Sequence, residues 1–136
     1  MSLRASNKRD LFMKNRILLL GLVVLTLAGC ATSSRYDQYT AQRFPPKDQY
    51  YAVNVYPEAQ ALPASNPYYV IGKVSIEGYA SEGVNPEMLA NQARSIARKR
   101  GADAIINSRT EIIRYWRDAL LRFRGELIVY APATVK

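Results

Sequence analysis

The chain predicts an α+β domain: a four-stranded sheet with one packed helix, in the order ββαββ. Three observations predict it. The stretches Tyr51 to Tyr56 and Tyr68 to Glu77 alternate and are rich in β-branched and aromatic residues. From Asn85 to Gly101 the apolar residues fall at helical spacing instead. From Ala104 to Tyr130 the period returns to two. A single helix between two pairs of strands buries its apolar stripe on one face of the sheet. The domain spans 49–131 and leaves a tail at 132–136. Two segments of different composition precede it, 1–29 and 30–48.

In the first segment Lys14 and Arg16 stand before the apolar stretch Ile17 to Thr26, and Leu27-Ala28-Gly29-Cys30 closes it. A spanning helix needs about 20 apolar residues. This stretch is shorter and falls in the range of about 7–15 of a secretory core. Basic head, short apolar middle, small residues and cysteine resemble a bacterial lipoprotein signal peptide with its lipobox. That resemblance implies cleavage between Gly29 and Cys30, a diacylglycerol on the Cys30 thiol and a further acyl chain on the freed amine. Several chains hold a protein firmly where one is marginal. Translation has two candidate starts, because Met13-Lys14-Asn15-Arg16 is an ordinary signal-peptide beginning by itself and Met1 makes a long one. Ala31 stands where an aspartate in Gram-negative lipoproteins directs inner-membrane retention. The resemblance therefore implies a lipid-anchored, periplasm-facing protein of the outer membrane if the source is Gram-negative. Otherwise it implies a membrane-anchored extracytoplasmic one.

Residues 30–48 are polar, lack a sustained period and end near Pro45-Pro46. They read as a flexible tether, with packing of Tyr36, Tyr39 and Phe44 onto the domain as the alternative. Tyr51 to Tyr56 is the first expected strand. Pro57, Pro63 and Pro67 punctuate the loop after it. Tyr68 to Glu77 is the second strand, where Gly72 predicts a bulge or a close backbone approach. Asn85 is a good N-cap, Pro86 suits the first helical position and Glu87 the first turn. Leu89, Ala93, Ile96, Ala97 and Arg100 form the helix stripe. Leu89 and Ile96 are the expected anchors, facing Val70, Val74, Ile106, Phe123 and Leu127. Arg98 to Arg100 complement the helix C-terminus, and Gly101 supplies a left-handed exit. A third strand runs from Ala104 to about Ile113. Tyr115 to Asp118 turn the chain. Leu121 to Tyr130 alternate in the fourth strand.

The chain carries +8, but Arg4, Lys8, Arg9, Lys14 and Arg16 against Asp10 precede Cys30, so +4 remains after it. That excess is too small and too dispersed for a nucleic-acid binder, so no nucleic-acid partner is expected. There is no histidine, and the single cysteine belongs to the lipid site. A Ser-His-Asp or Cys-His arrangement is excluded. So are zinc sites built on those ligands, and no cofactor is expected beyond the covalent lipid. Glu77, Glu82, Asp103, Glu111 and Asp118 are the acids from which a hydrolase would draw a carboxylate pair. Nothing in their spacing fixes one, and Asp103, just after the helix, suggests a turn role. Arg109, Arg122 and Arg124 are the candidate surface for an anionic partner, a lipid phosphate or an envelope polymer. The other reading is a solvated face paired with Glu111 and Glu126. All ten tyrosines follow Cys30. Tyr56, Tyr68, Tyr69, Tyr115, Tyr130 and Trp116 form either a binding groove or packing at sheet edges.

Tyr69-Val70-Ile71-Gly72-Lys73-Val74, the helix through Ala93 and Ala97, and Gly101-Ala102-Asp103-Ala104-Ile105-Ile106 together resemble small bacterial envelope domains of the "GADAI" type. These include uncharacterised outer-membrane lipoproteins, the Rcs-pathway stress-sensor lipoprotein and, more distantly, YbjQ-type domains. The resemblance spans about Tyr50 to Tyr130 and concerns structural positions. The stress sensor relies on disulfides, which this chain lacks. Ring assembly of YbjQ-type domains makes a homo-oligomer an expectation by analogy only. The expected function is a non-catalytic envelope lipoprotein, a binding or structural module. It would meet the membrane through its lipid and an envelope protein or polymer through its domain. The alternatives are a carboxylate-pair hydrolase and a basic lipid-facing domain.

Overall fold

The computed structural model describes residues 31–63 and 66–132. The expected signal peptide (1–29), its cleavage position at Gly29, and Cys30 lie outside the described residues, as does the tail from 133. The fold is α+β with one α-helix and a five-stranded mixed sheet. The strands are β1 (Thr32–Gln38), β2 (Asn54–Val55), β3 (Tyr68–Tyr79), β4 (Ala104–Arg114) and β5 (Ala119–Tyr130). The helix α1 spans Pro86–Lys99. Across the sheet the order is β1-β3-β5-β4-β2. Neighbours are antiparallel except β2, which runs parallel to β4.

Two expectations are corrected here. The sheet has five strands, not four, because part of the expected tether is the edge strand β1. It pairs with β3 from Thr32 opposite Gly78 to Gln38 opposite Gly72. Its composition, Thr-Ser-Ser-Arg-Tyr-Asp-Gln, hid it. An edge strand needs little apolar surface, and charges such as Arg35 and Asp37 blunt its free side. The first expected strand shrinks to Asn54–Val55 and sits at the far edge, so the first two strands do not pair with each other.

The helix begins and ends as its residues dictate. Asn85 Oδ1 accepts from the Met88 N–H at 3.0 Å. Gly101 leaves the helix at φ +76, and a Cβ there would lie 2.5 Å from the Pro45 carbonyl oxygen. Glycine thus serves both the exit and the crossing of residues 44–47, whose Lys47 N–H donates to the Arg98 carbonyl at 2.8 Å. The helix buries Leu89, Ala93 and Ala97 against Val74, Ile76, Ile105, Leu121, Phe123 and Leu127. Ile96 packs at the margin, partly buried, and Arg100 is exposed.

Val70 and Ile106 do not face the helix. They join Leu62, Ala104 and Ile128 in a smaller core on the other side of the sheet. Two bulges cause this. The register of β3 on β5 shifts between Val70 and Gly72, and that of β4 on β5 between Ile106 and Arg109. Each extra residue reverses the alternation beyond it. Gly72 fulfils both sequence readings, since a Cβ there would stand 2.5 Å from Tyr36 Oη. The β4 bulge holds Asn107 at φ 49, and its Oδ1 accepts from the Ala59 N–H at 3.2 Å. That bond closes the loop after β2 over the smaller core.

Candidate functional site

Register places Arg109, Arg122 and Arg124 on the helix-free face of the sheet, since Arg109 opposes Arg124 and Arg122 opposes Glu111. They do come together, but around an acid. Arg109 Nε lies 3.1 Å from Glu111 Oε1 and Arg124 Nη1 3.8 Å from the same atom. Arg122 donates to Glu77 and lies 3.9 Å from Glu111 Oε2. The rest of the face alternates in the same way: Arg35 pairs with Asp37, and Glu126 accepts from Asn107 Nδ2 at 2.7 Å. A cross-strand lattice of opposite charges stabilises the sheet and leaves little net field.

The other acids are engaged internally too. Asp103 accepts from Tyr51 Oη at 3.0 Å and from the Tyr130 N–H at 2.9 Å, with Lys47 Nζ at 2.6 Å. Burial raises its pKa, but the bonds from Lys47, Tyr130 and Tyr51 outweigh burial and hold the carboxyl below its ordinary value. Its role is therefore wider than the local turn its position suggests. Asp118 accepts from Ser81, both backbone and hydroxyl, and from the Ala119 N–H at 2.7 Å. The Ser81 hydroxyl, then the Ala119 N–H, keep its pKa low.

Unopposed positive charge lies elsewhere, at the C-terminal end of α1. Residues 39–48 leave β1 and cross beneath that end, with the Tyr39 N–H donating to the Ile71 carbonyl at 3.0 Å. They enclose a hollow of about 610 Å³ lined by Tyr36, Gln38, Gln42, Arg43, Phe44, Pro45, Pro46, Ile71, Lys99 and Arg100. Three of these side chains are cationic and none is a carboxylate. Among the described residues, Arg43, Lys99 and Arg100 make no ion pair. The Arg100 guanidinium lies 4.5 Å from the Tyr36 ring centroid. Tyr36 Oη donates to the Ile71 carbonyl at 3.2 Å, which fixes the ring as a wall. Burial raises the Tyr36 pKa despite Arg100, so the hydroxyl stays a donor.

An apolar hollow of about 450 Å³ adjoins it, sharing Gln42, Phe44 and Ile71 and adding Tyr69, Val129, Tyr130 and Pro132. On the other flank, Arg94 and Arg98 face Tyr50 to Tyr56 around a hollow of about 680 Å³. The expected aromatic groove is thus divided. Tyr69 and Tyr130 join the apolar hollow, and Tyr56 packs on the smaller core. Tyr115 and Trp116 sit in the β4–β5 turn at the opposite end of the sheet. Sequence reasoning missed the hollow because half its wall comes from residues 36–46, which lack any periodic signal. The basic run Arg98-Lys99-Arg100 was the one legible part.

Among the described residues no helix is long and apolar enough to cross a membrane. No protein-family model matches the chain, and no curated protein sequence matches it. Among solved structures it is similar to the Francisella virulence factor FvfA, at 18% identity and a TM-score of 0.53. The match covers 71% of this chain and 96% of that one. At this identity the likeness shows a shared fold and carries no ligand or role with it.

Proposed function

We propose that this protein is a non-catalytic lipoprotein of the bacterial envelope, anchored through Cys30, whose domain binds a carboxylate-bearing envelope polymer at the C-terminal end of α1. The observation that carries the binding site is the contrast between two groups of cations. Arg109, Arg122 and Arg124 each have a carboxylate, Glu77 or Glu111, within 4 Å. Arg43, Lys99 and Arg100 surround a hollow without a carboxylate in its lining. Guanidinium groups recognise carboxylates in a bidentate way. The adjoining Phe44, Ile71, Tyr69 and Val129 would take an apolar group of the same ligand.

The anchor rests on the order Lys14, Ile17 to Thr26, Ala28-Gly29-Cys30, and the outer-membrane address on Ala31. The non-catalytic reading is supported by the absence of histidine and of a second cysteine. It is also supported by the engagement of Glu77, Asp103, Glu111 and Asp118 in internal bonds.

Retention of the purified protein on isolated peptidoglycan tests the binding site. The wild-type protein is expected to be retained at low salt and released as salt rises. Arg43→Glu/Arg100→Glu should abolish retention, while Arg109→Ala should leave it intact. Equal retention of the Arg43/Arg100 variant would overturn the site. Turnover of the polymer, lost on Asp103→Asn or Glu111→Gln, would overturn the non-catalytic reading.

A further inference from the structure

We infer that the tip of the β4–β5 hairpin is a second, non-covalent membrane contact that seats the domain on an anionic phospholipid surface. The inference rests on the lipid-anchor reading of Cys30 and adds an orientation to it. The strand β1 starts at Thr32, so Ala31 alone separates Cys30 from the sheet, two residue steps with a reach of about 7 Å. A lipid on Cys30 therefore holds one particular end of the sheet against the bilayer. Thr32 pairs with Gly78, Gly78 with Leu121, and Leu121 with Ile112. That row of the sheet is the one nearest the anchor. The hairpin continues past it through Arg114 and Trp116, roughly 7–10 Å, which matches the reach of the anchor. Three strand spacings, about 14 Å, separate the two along the bilayer surface.

The residues at this end suit lipid. Trp116 is 87% exposed, Ile112 55% and Tyr115 53%. Exposed indole and phenol rings favour the headgroup region, where one side is apolar and the other wet. Arg114 and Arg117 flank them, and the Arg117 guanidinium lies 4.1 Å from the Trp116 ring centroid. Cations there meet lipid phosphates. Asp118, the acid within the turn, is engaged by Ser81 and Ala119, and Glu82 stands beside Ser81 on the turn before α1. Among the described residues Arg114 and Arg117 make no ion pair, so both are available to an anionic surface. The tip is also held in shape. The Tyr115 N–H donates to the Asp118 carbonyl at 2.7 Å, and Asp118 is bonded to Ser81 across the end of the sheet.

Trp116 is the chain's sole tryptophan, so its fluorescence reports this tip directly. The full chain is produced in a bacterial host with its signal segment, and the purified product is placed in phosphatidylethanolamine–phosphatidylglycerol vesicles. Flotation and the mass of the N-terminal peptide test the anchor separately. The expected result is a blue-shifted emission that is quenched by lipids brominated at shallow acyl positions. Arg114→Glu/Arg117→Glu should reverse both changes while the protein still floats. A lipidated, floating protein whose Trp116 emits as a water-exposed indole, untouched by brominated lipid, would overturn the seating and leave the anchor standing. A product without lipid on Cys30 that stays out of the vesicle fraction overturns the anchor, and the seating with it.

Discussion

Asp103 receives three donors from two distant stretches of chain: Lys47 and Tyr51 before the sheet core, and Tyr130 at the end of β5. Its side chain is only 10% exposed, so each lost partner leaves a polar group poorly solvated. Asp103→Asn is expected to cost about 1–2 kcal/mol, measured by urea unfolding. The same carboxyl gives acid sensitivity. Its folded pKa is lowered, so its contribution is complete above the unfolded value of about 3.9. That contribution is lost as pH falls through the folded value. Acidification below about 4 should therefore destabilise the wild-type protein more than Asp103→Asn. Identical acid profiles would show that the three bonds contribute nothing. The sequence placed Asp103 at a turn, but its distant partners have no local signature.

At the scale of elements, α1 divides into residues that hold it and residues that serve the surface. Leu89 is fully buried, and Leu89→Ala should cost about 2–5 kcal/mol. Ile96 is partly buried, so Ile96→Ala should cost less, and Lys99→Ala should leave the melting temperature unchanged. Equal melting for all three would show that the stripe does not hold the domain. The edge strand β1 depends on a different residue. Gly72→Val would drive a side chain into Tyr36 and the Asp37 carbonyl. Amide exchange should then rise across Thr32–Gln38 and stay slow in β5. Helix caps and stripe were readable because they are local and periodic. The edge strand was not, because pairing on one side needs no apolar alternation.

For the molecule as a whole, the two proposed sites lie at opposite ends of the sheet. The chain enters beside Gly78 and the β4–β5 turn, while the cationic hollow lies at the other end. The strand β1 alone separates them by about 20 Å. If Cys30 is lipidated, the hollow faces away from the bilayer. Two outcomes check this. The mature N-terminal peptide should carry acyl chains on Cys30, and Cys30→Ser should release the protein from membranes. A photo-crosslinker at Gln42 in intact envelopes should capture polymer, whereas one at Tyr115 should capture lipid. Lipid adducts from Gln42 would reverse the orientation.

From local pattern alone came the α+β class, the limits of α1 at Asn85 and Gly101, and the long strands β3 to β5. Each rests on neighbours within a few residues, where periodicity and caps act. The fifth strand, the reversal of Val70 and Ile106, the pairing of Arg109, Arg122 and Arg124 with Glu77 and Glu111, and the hollow around Arg43 and Arg100 needed the folded chain. Bulges, cross-strand register and a crossing segment set these features, and each joins residues tens of positions apart.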